Sequence, residues 1–265
     1  MTMKDNYMKK ILIIPDIKNL DESLSLAEKY SLGFEYNDFF IPSVLDDAEK
    51  ADEIIRTYKE KTLPDYCTLH GAFFDVIPFS PDEKIRDISL MRINQSIDTA
   101  RKVGASAVVF HTNYNPFLNS KDYISDWIEK NAVIWGKILG DNADVSIYLE
   151  NMFDTSPEIM SALSEKLCSH ENYGVCLDYA HASLSKVPAY EWAEVLGKYV
   201  KHIHINDNDL VSDLHLAWGS GKIDKDKFYQ AYEKYLGDAT ILVETTPMEN
   251  KRTSLEVLKA DGFID

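Results

Sequence analysis

Short apolar runs rich in Val, Ile and aromatic residues recur along this chain, each time leaving room for one amphipathic helix before the next. They read ILII (11–14), GFEYN (33–37), a run ending at His70, SAVVFH (106–111), DVSIYLE (144–150), YGVCLD (173–178), VKHIHI (200–205) and TILVE (240–244). Runs of this length and β-branched content are strands rather than helices. The intervening stretches predict helices: DESLSLAEKY with Asp21 as N-cap, roughly 44–60, Asp82 to Val103 behind Ser80-Pro81, and Lys121 to Leu139. Further on, Ser156-Pro157-Glu158 opens a helix with Ser156 as N-cap, and others start near Pro188, near Asp224 and at Glu249, the last running to Ala260. Eight strands alternating with eight helices predict an α/β fold, a parallel (β/α)8 TIM barrel.

The length of 265 residues suits one such barrel, and no Pro-, Gly- or Ser-rich linker, repeat or low-complexity tract divides residues 1–265 into smaller domains. The polar start MTMKDNYMKK and the four-residue run after it are too short for a signal segment or a membrane span, so a cytoplasmic protein is expected. Cys67, Cys168 and Cys176 are odd in number and lack CxxC spacing, which fits reduced thiols.

Most of the apolar runs end on residues that bind metals. His70, His111, Glu150 and Asp178 close four of them, His204 stands next to the end of a fifth, and Glu244 closes the last; His181 follows Asp178 by three residues, and Asp213-x-His215 lies in the loop after His204. In a parallel barrel all these positions converge at the C-terminal mouth. So many charged groups crowded together would repel at large cost unless cations neutralised them. Imidazole and carboxylate together suit divalent transition metals, and their number implies more than one position. His202 shares a strand face with His204 and is expected one layer deeper in the barrel or bonded to a ligand. The formal net charge of −16 disfavours a broad non-specific grip on polyanions.

From GFE through the final helix, the stretches LHGAFFD, VVFH, YLEN, LDYAH and HIHINDNDLVSDLHLAWGSGKID resemble the xylose isomerase-like barrel superfamily. That superfamily holds sugar isomerases and epimerases and also the apurinic-site endonucleases of the endonuclease IV type. The resemblance implies that Glu150, Asp178, His204 and Glu244 hold one divalent metal, as in the isomerase branch. It further implies that His70, His111, His181, Asp213 and His215 complete a three-zinc cluster, as in the endonuclease branch. In that arrangement Glu150 bridges two metals, His70 and His111 complete the first, Asp178, His204 and Glu244 the second, and His181, Asp213 and His215 hold the third. The Asp213-x-His215 spacing is expected to put both side chains on one side of an extended loop, with Gly219 and Gly221 turning the backbone beneath the site.

Two chemistries fit. A sugar or sugar-phosphate isomerase or epimerase would pass a proton through a metal-stabilised enediolate, with Glu150 and Glu244 as base and acid and His181 on a substrate oxygen. The alternative is a multinuclear-zinc phosphoester hydrolase of the endonuclease IV type. Ligand count favours the hydrolase. The loops NDFFIPSVLDD and GAFFDVIPFSPDE, which lack Arg and Lys, favour a small sugar or sugar phosphate over nucleic acid or membrane. The expected cofactor is Zn²⁺ or Mn²⁺, one to three ions. Phe73, Phe74 and Trp218 are candidate pocket walls, and Asn151 a substrate-binding residue or an orienting group behind the ligands. Barrels of this superfamily often form homodimers, although the chain carries no interface signature.

Overall fold

The computed structural model describes residues 9–73 and 75–264. The polar start of the chain through Met8, and Phe74, lie outside them. Eight parallel strands close into a barrel in sequence order, β1 pairing with β8: β1 Ile11–Ile13, β2 Gly33–Tyr36, β3 Cys67–His70, β4 Ala107–His111, β5 Ser146–Glu150, β6 Tyr173–Asp178, β7 Val200–Ile205 and β8 Thr240–Val243. The helices are α1 Leu20–Tyr30, α2 Pro42–Leu45, α3 Ala48–Lys59, α4 Glu83–Val103, α5 Lys121–Asp141, α6 Glu158–Leu167, α7 Tyr179–Leu184, α8 Ala189–Leu196, α9 Lys225–Ala231 and α10 Met248–Ala260. The expected TIM barrel is therefore present, with α2 and α7 as short additions that the eight-helix reading lacked. None of the described helices is long and apolar enough to cross a membrane.

Side-chain caps fix five of the ten described helix starts, those of α3, α4, α5, α7 and α9. Asp82, Ser120 and Asp224 each accept a hydrogen bond from a first-turn backbone N–H, at 2.9, 3.3 and 3.1 Å. Two expected caps differ. α1 begins at Leu20 because a 3-10 turn, Ile17–Asn19, precedes it; Asp16 caps that turn, and Asp21 falls inside the first turn of α1. Pro157, not Ser156, occupies the N-cap of α6, with no side-chain bond.

Two cores result. The large one, built from Phe34, Trp127, Trp135, Trp192 and Phe228 among others, fills the layer between strands and helices. A small one of Ala107, Val109, Tyr148 and Cys176 belongs to the barrel interior. Side chains two apart on a strand share a face. Val109 and His111, Tyr148 and Glu150, and Cys176 and Asp178 therefore pair an apolar plug below with an ionisable residue above. Cys67 and Cys176 are buried, Cys168 is exposed, and all three are free thiols.

Candidate metal centre

The mouth brings His70, His111, Glu150, Asp178, His181, His204, Asp213, His215 and Glu244 together. Their ligand atoms fall into tight groups: His70, His111 and Glu150; Glu150, Asp178 and His204; and His181, Asp213 and His215, with all atoms of a group within 4.8 Å of one another. Glu150 belongs to two of them. Its Oε2 lies 3.6 Å from His70 Nε2 and 3.4 Å from His111 Nε2, while its Oε1 lies 3.4 Å from His204 Nδ1. Glu244 Oε2 approaches the same His204 nitrogen at 3.5 Å.

The donor atoms in this space share one property. His70 Nε2, Glu150 Oε2, Asp178 Oδ2, His204 Nδ1 and Glu244 Oε2 are buried without a hydrogen-bond partner. Leaving one such atom bare costs about 1–3 kcal/mol, so five converging orphans mark a place for a cation. Around the mouth, several ligand groups have their other ends fixed. Asp178 spends Oδ1 on capping α7, at 2.6 Å from His181 N. His70 Nδ1 lies 3.1 Å from the Gly71 carbonyl, His181 Nδ1 3.0 Å from that of Asn151, and His215 Nδ1 3.1 Å from that of Glu244. With Nδ1–H donating to each carbonyl, the Nε2 lone pair of each ring is left for the site, the arrangement that metal-bound histidines use. His181 Nε2 and His215 Nε2 meet Asp213 Oδ2 at 3.4 and 3.1 Å. The residues therefore fit a divalent cation.

Electrostatics carry the same signature. Burial pushes the Asp178 carboxyl up to about 7; His181 opposes this, and the Glu244 and Glu150 carboxylates reinforce it. Glu150 moves the other way. Burial raises it, but the His204 and His111 rings hold it well below the usual carboxylate range. Burial lowers His215, yet Asp213 and Glu244 outweigh that and bring it to about 10. Protons here stand in for positive charge that a cation would supply.

The loop carrying Asp213 and His215 is not extended, as the spacing had implied. Leu210 and His215 adopt left-handed backbone, φ 64° and 47°, and Asp207 pairs with Leu216 in an antiparallel bridge. One carboxylate organises this loop: Asp207 accepts from the N–H groups of Asn208, Gly219 and Ile223 at 2.9–3.0 Å. Gly221 packs against it so closely that a Cβ would lie 2.4 Å from both Asp207 Oδ1 and the Asn208 carbonyl oxygen.

Beside the centre, an alcove of about 270 Å³ opens between the ends of β1, β2, β3 and β8. Phe40 and Phe73 wall it, with ring centroids 5.5 Å apart, and Glu244 and His70 close it toward the centre. Asn37 and Thr245 also line it, and Asn37 Oδ1 and Thr245 Oγ1 are buried without a partner. Neither residue stood out in the sequence.

Two other expectations are corrected. Trp218 is fully buried away from the mouth, its ring 5.1 Å from Phe228 and its Nε1–H donating to Tyr229 Oη at 3.2 Å. The apolar layer behind the loop takes the indole. For Asn151 the substrate-binding alternative gives way to the orienting one. Its Nδ2 donates to the Asp178 carbonyl and its Oδ1 accepts from Asp178 N–H, both at 2.9 Å, which ties β5 to β6. His202 lies below His204, within hydrogen-bond reach of Glu35, a fully buried carboxylate that sequence reasoning passed over.

Comparison with known proteins places these features in context. Residues 26–261 match the family described as xylose isomerase-like TIM barrel. The uncharacterized protein MJ1614 of Methanocaldococcus jannaschii is 27% identical over 94% of this chain and 95% of its own. Fructoselysine 3-epimerase of Shigella flexneri is 24% identical over 64% of each chain, and a probable endonuclease 4 of Mycobacterium leprae 25% identical over 76% of this chain and 80% of its own. Among solved structures, the TTHB071 protein of Thermus thermophilus, soaked with ZnCl2, superposes with a TM-score of 0.74 at 25% identity, covering 96% of this chain and 97% of that one.

Proposed function

Because the chain belongs to the xylose isomerase-like TIM barrel family, whose relatives include sugar epimerases and endonuclease 4 proteins, we propose that it is a divalent-metal-dependent isomerase or epimerase of a sugar or sugar phosphate. The observation that carries this reading is the alcove. At about 270 Å³ it is at the small end of ligand pockets, and it offers aromatic walls, unpartnered neutral polar atoms and the Glu244 carboxylate. That chemistry suits the apolar faces and hydroxyls of a compact polyol. The low-dielectric walls would strengthen each polar contact inside it.

When bound, the cation supplies Lewis-acid polarisation of the substrate carbonyl. Glu150, Asp178, His204 and Glu244 would hold it. Glu150 and Glu244 reach the same His204 nitrogen from separate strands, β5 and the end of β8. In this reading one carboxylate removes the proton beside the carbonyl and the other returns it. Asn37 and Thr245 hold substrate hydroxyls, and Phe73 shields the reacting carbon from water. His70 and His111, and the group of His181, Asp213 and His215, would hold further ions.

That last group favours a second reading, a multinuclear phosphoester hydrolase, since three donor groups match its need for clustered charge. One experiment separates the two. Incubation in D2O with a panel of keto-sugars and their phosphates should place deuterium beside the carbonyl. Incision of an abasic-site duplex with no deuterium uptake across the panel would overturn the isomerase in favour of the hydrolase.

A further inference from the structure

His204 differs from the other histidines of the mouth in which nitrogen it presents. His70, His181 and His215 lean Nδ1 on backbone carbonyls and aim Nε2 at the site. His204 aims Nδ1 at Glu150 and Glu244, and its Nε2 points down the barrel to Glu35 Oε1 at 3.2 Å. The two atoms face each other outside hydrogen-bond geometry, and neither has a hydrogen-bond partner elsewhere.

Glu35 is in turn held on its second oxygen. Thr68 Oγ1–H donates to Oε2 at 2.7 Å, and His202 Nε2 lies 3.1 Å from the same atom. His202 Nδ1 is 2.6 Å from Thr240 Oγ1. The network thus joins β2, β3, β7 and β8, and Glu35, Thr68, His202 and His204 are all fully buried.

With a cation on the mouth side of His204, a proton count leaves one arrangement with neutral rings. A carboxylate only accepts, so Thr68 and His202 Nε2–H both donate to Oε2. His202 Nδ1 is then bare and accepts from the Thr240 hydroxyl, which is 2.6 Å away, against 3.4 Å from that hydroxyl to its other acceptor, the Lys201 carbonyl. With a cation taking the Nδ1 lone pair between Glu150 and Glu244, the proton of His204 falls on Nε2, which faces Glu35 Oε1. We propose that Glu35 is a positioning residue that fixes the tautomer and ring orientation of His204, and through its negative charge makes His204 a stronger metal donor than the rings braced by carbonyls. His202 and Thr68 hold Glu35 in place. The proposal rests on the metal reading above, since without a cation Nδ1 faces the Glu150 and Glu244 carboxylates about as closely as Nε2 faces Glu35.

Two measurements test it. Long-range ¹⁵N–¹H NMR of the Zn²⁺-loaded protein should find neutral His204 with its proton on Nε2. A proton on Nδ1 instead would overturn the proposal. Separately, Zn²⁺ affinity, measured by competition with a chromophoric chelator, should fall about 10- to 100-fold in Glu35→Gln. The amide cannot accept from Thr68, His202 and His204 together, so the brace on His204 is weakened. Thr68→Val, which keeps the charge and removes one brace, should lose a few-fold. A folded Glu35→Gln protein with wild-type Zn²⁺ affinity would overturn the proposal. If Glu35→Gln does not fold, the wild-type tautomer and Thr68→Val decide, and wild-type affinity in Thr68→Val counts against it. Wild-type protein that binds no Zn²⁺ would sink the metal reading and the positioning role with it, whereas Zn²⁺-loaded protein with His204 protonated on Nδ1 would sink the positioning role alone.

Discussion

The two ends of the barrel make opposite use of space. At the N-terminal end, α1 and the starts of β1, β2 and β3 enclose a cleft of about 930 Å³ bordered by Lys9, Asp21, Glu28, Asp65 and Tyr66. At the C-terminal end the alcove beside the metal-ligand groups is about 270 Å³. Among the described residues, none of the buried side-chain atoms without a partner belongs to the larger cleft, whereas several line or adjoin the smaller one. Volume by itself reflects how helices splay around strand ends. Convergence of unpaired donors and acceptors is what costs stability, and it is retained where something binds.

The largest break in that contrast should come from Glu150. Replacing it by Gln keeps an oxygen and removes the charge shared by two donor groups. Turnover should fall by about 10²-fold or more, with metal content measured in the same samples; unchanged turnover at full metal content would remove Glu150 as the base.

Asp154 gives a pH-dependent effect of a different kind. It lies beyond β5, accepts from Thr112 Oγ1 at 2.6 Å and keeps Oδ1 unpartnered. Burial pushes it up to about 6, against the lowering effect of Thr112 and the Met152 N–H. A raised carboxyl favours the protonated folded state, so its stabilising contribution is present below the unfolded-state value of 3.8 and is lost as pH rises through about 6. Between pH 4 and 7, metal-free wild type should therefore lose about 2–3 kcal/mol relative to Asp154→Asn in urea unfolding. Parallel pH profiles would show that Asp154 is ionised in the fold at no cost.

Smaller effects sharpen the comparison directly. Thr245→Val removes the alcove's orphan hydroxyl at constant shape and should raise KM about tenfold, the value of one buried hydrogen bond, on whichever sugar takes up deuterium. Thr62→Val, the same change in the N-terminal cleft, should leave kcat and KM within about twofold. Equal effects at the two sites would end the distinction between the two ends.

Reading the strands from sequence succeeded where function and periodicity coincide. His111, Glu150, Asp178 and His204 lie on strands, so the apolar run and the metal-ligand residue announced each other. Glu35 was passed over because a Glu two residues from the start of a run looks like the solvent side of an edge. Only barrel closure turns it inward toward His202 and His204, on a strand 167 positions away. Trp218 failed in the reverse sense: adjacency to His215 in sequence said nothing about the half-turn that sends its indole into the helix layer. The α7 turn was invisible because its six residues are too few for periodicity, although Asp178 and His181 three apart are what a cap and first turn look like.

The Asp207 knot also bears on how such barrels diversify. By gathering N–H groups from Asn208, Gly219 and Ile223, it closes the segment bearing Asp213 and His215 into a cassette whose two ends meet at one carboxylate. Its His215 leans on the Glu244 carbonyl, whereas the backbone bonds of Glu150, Asp178 and His204 run elsewhere. Exchanging this segment would remove two of the three donors of the outermost group, leaving His181 alone there, while Glu150, Asp178 and His204 keep their places. The number of ions the mouth can hold is therefore written largely in one loop.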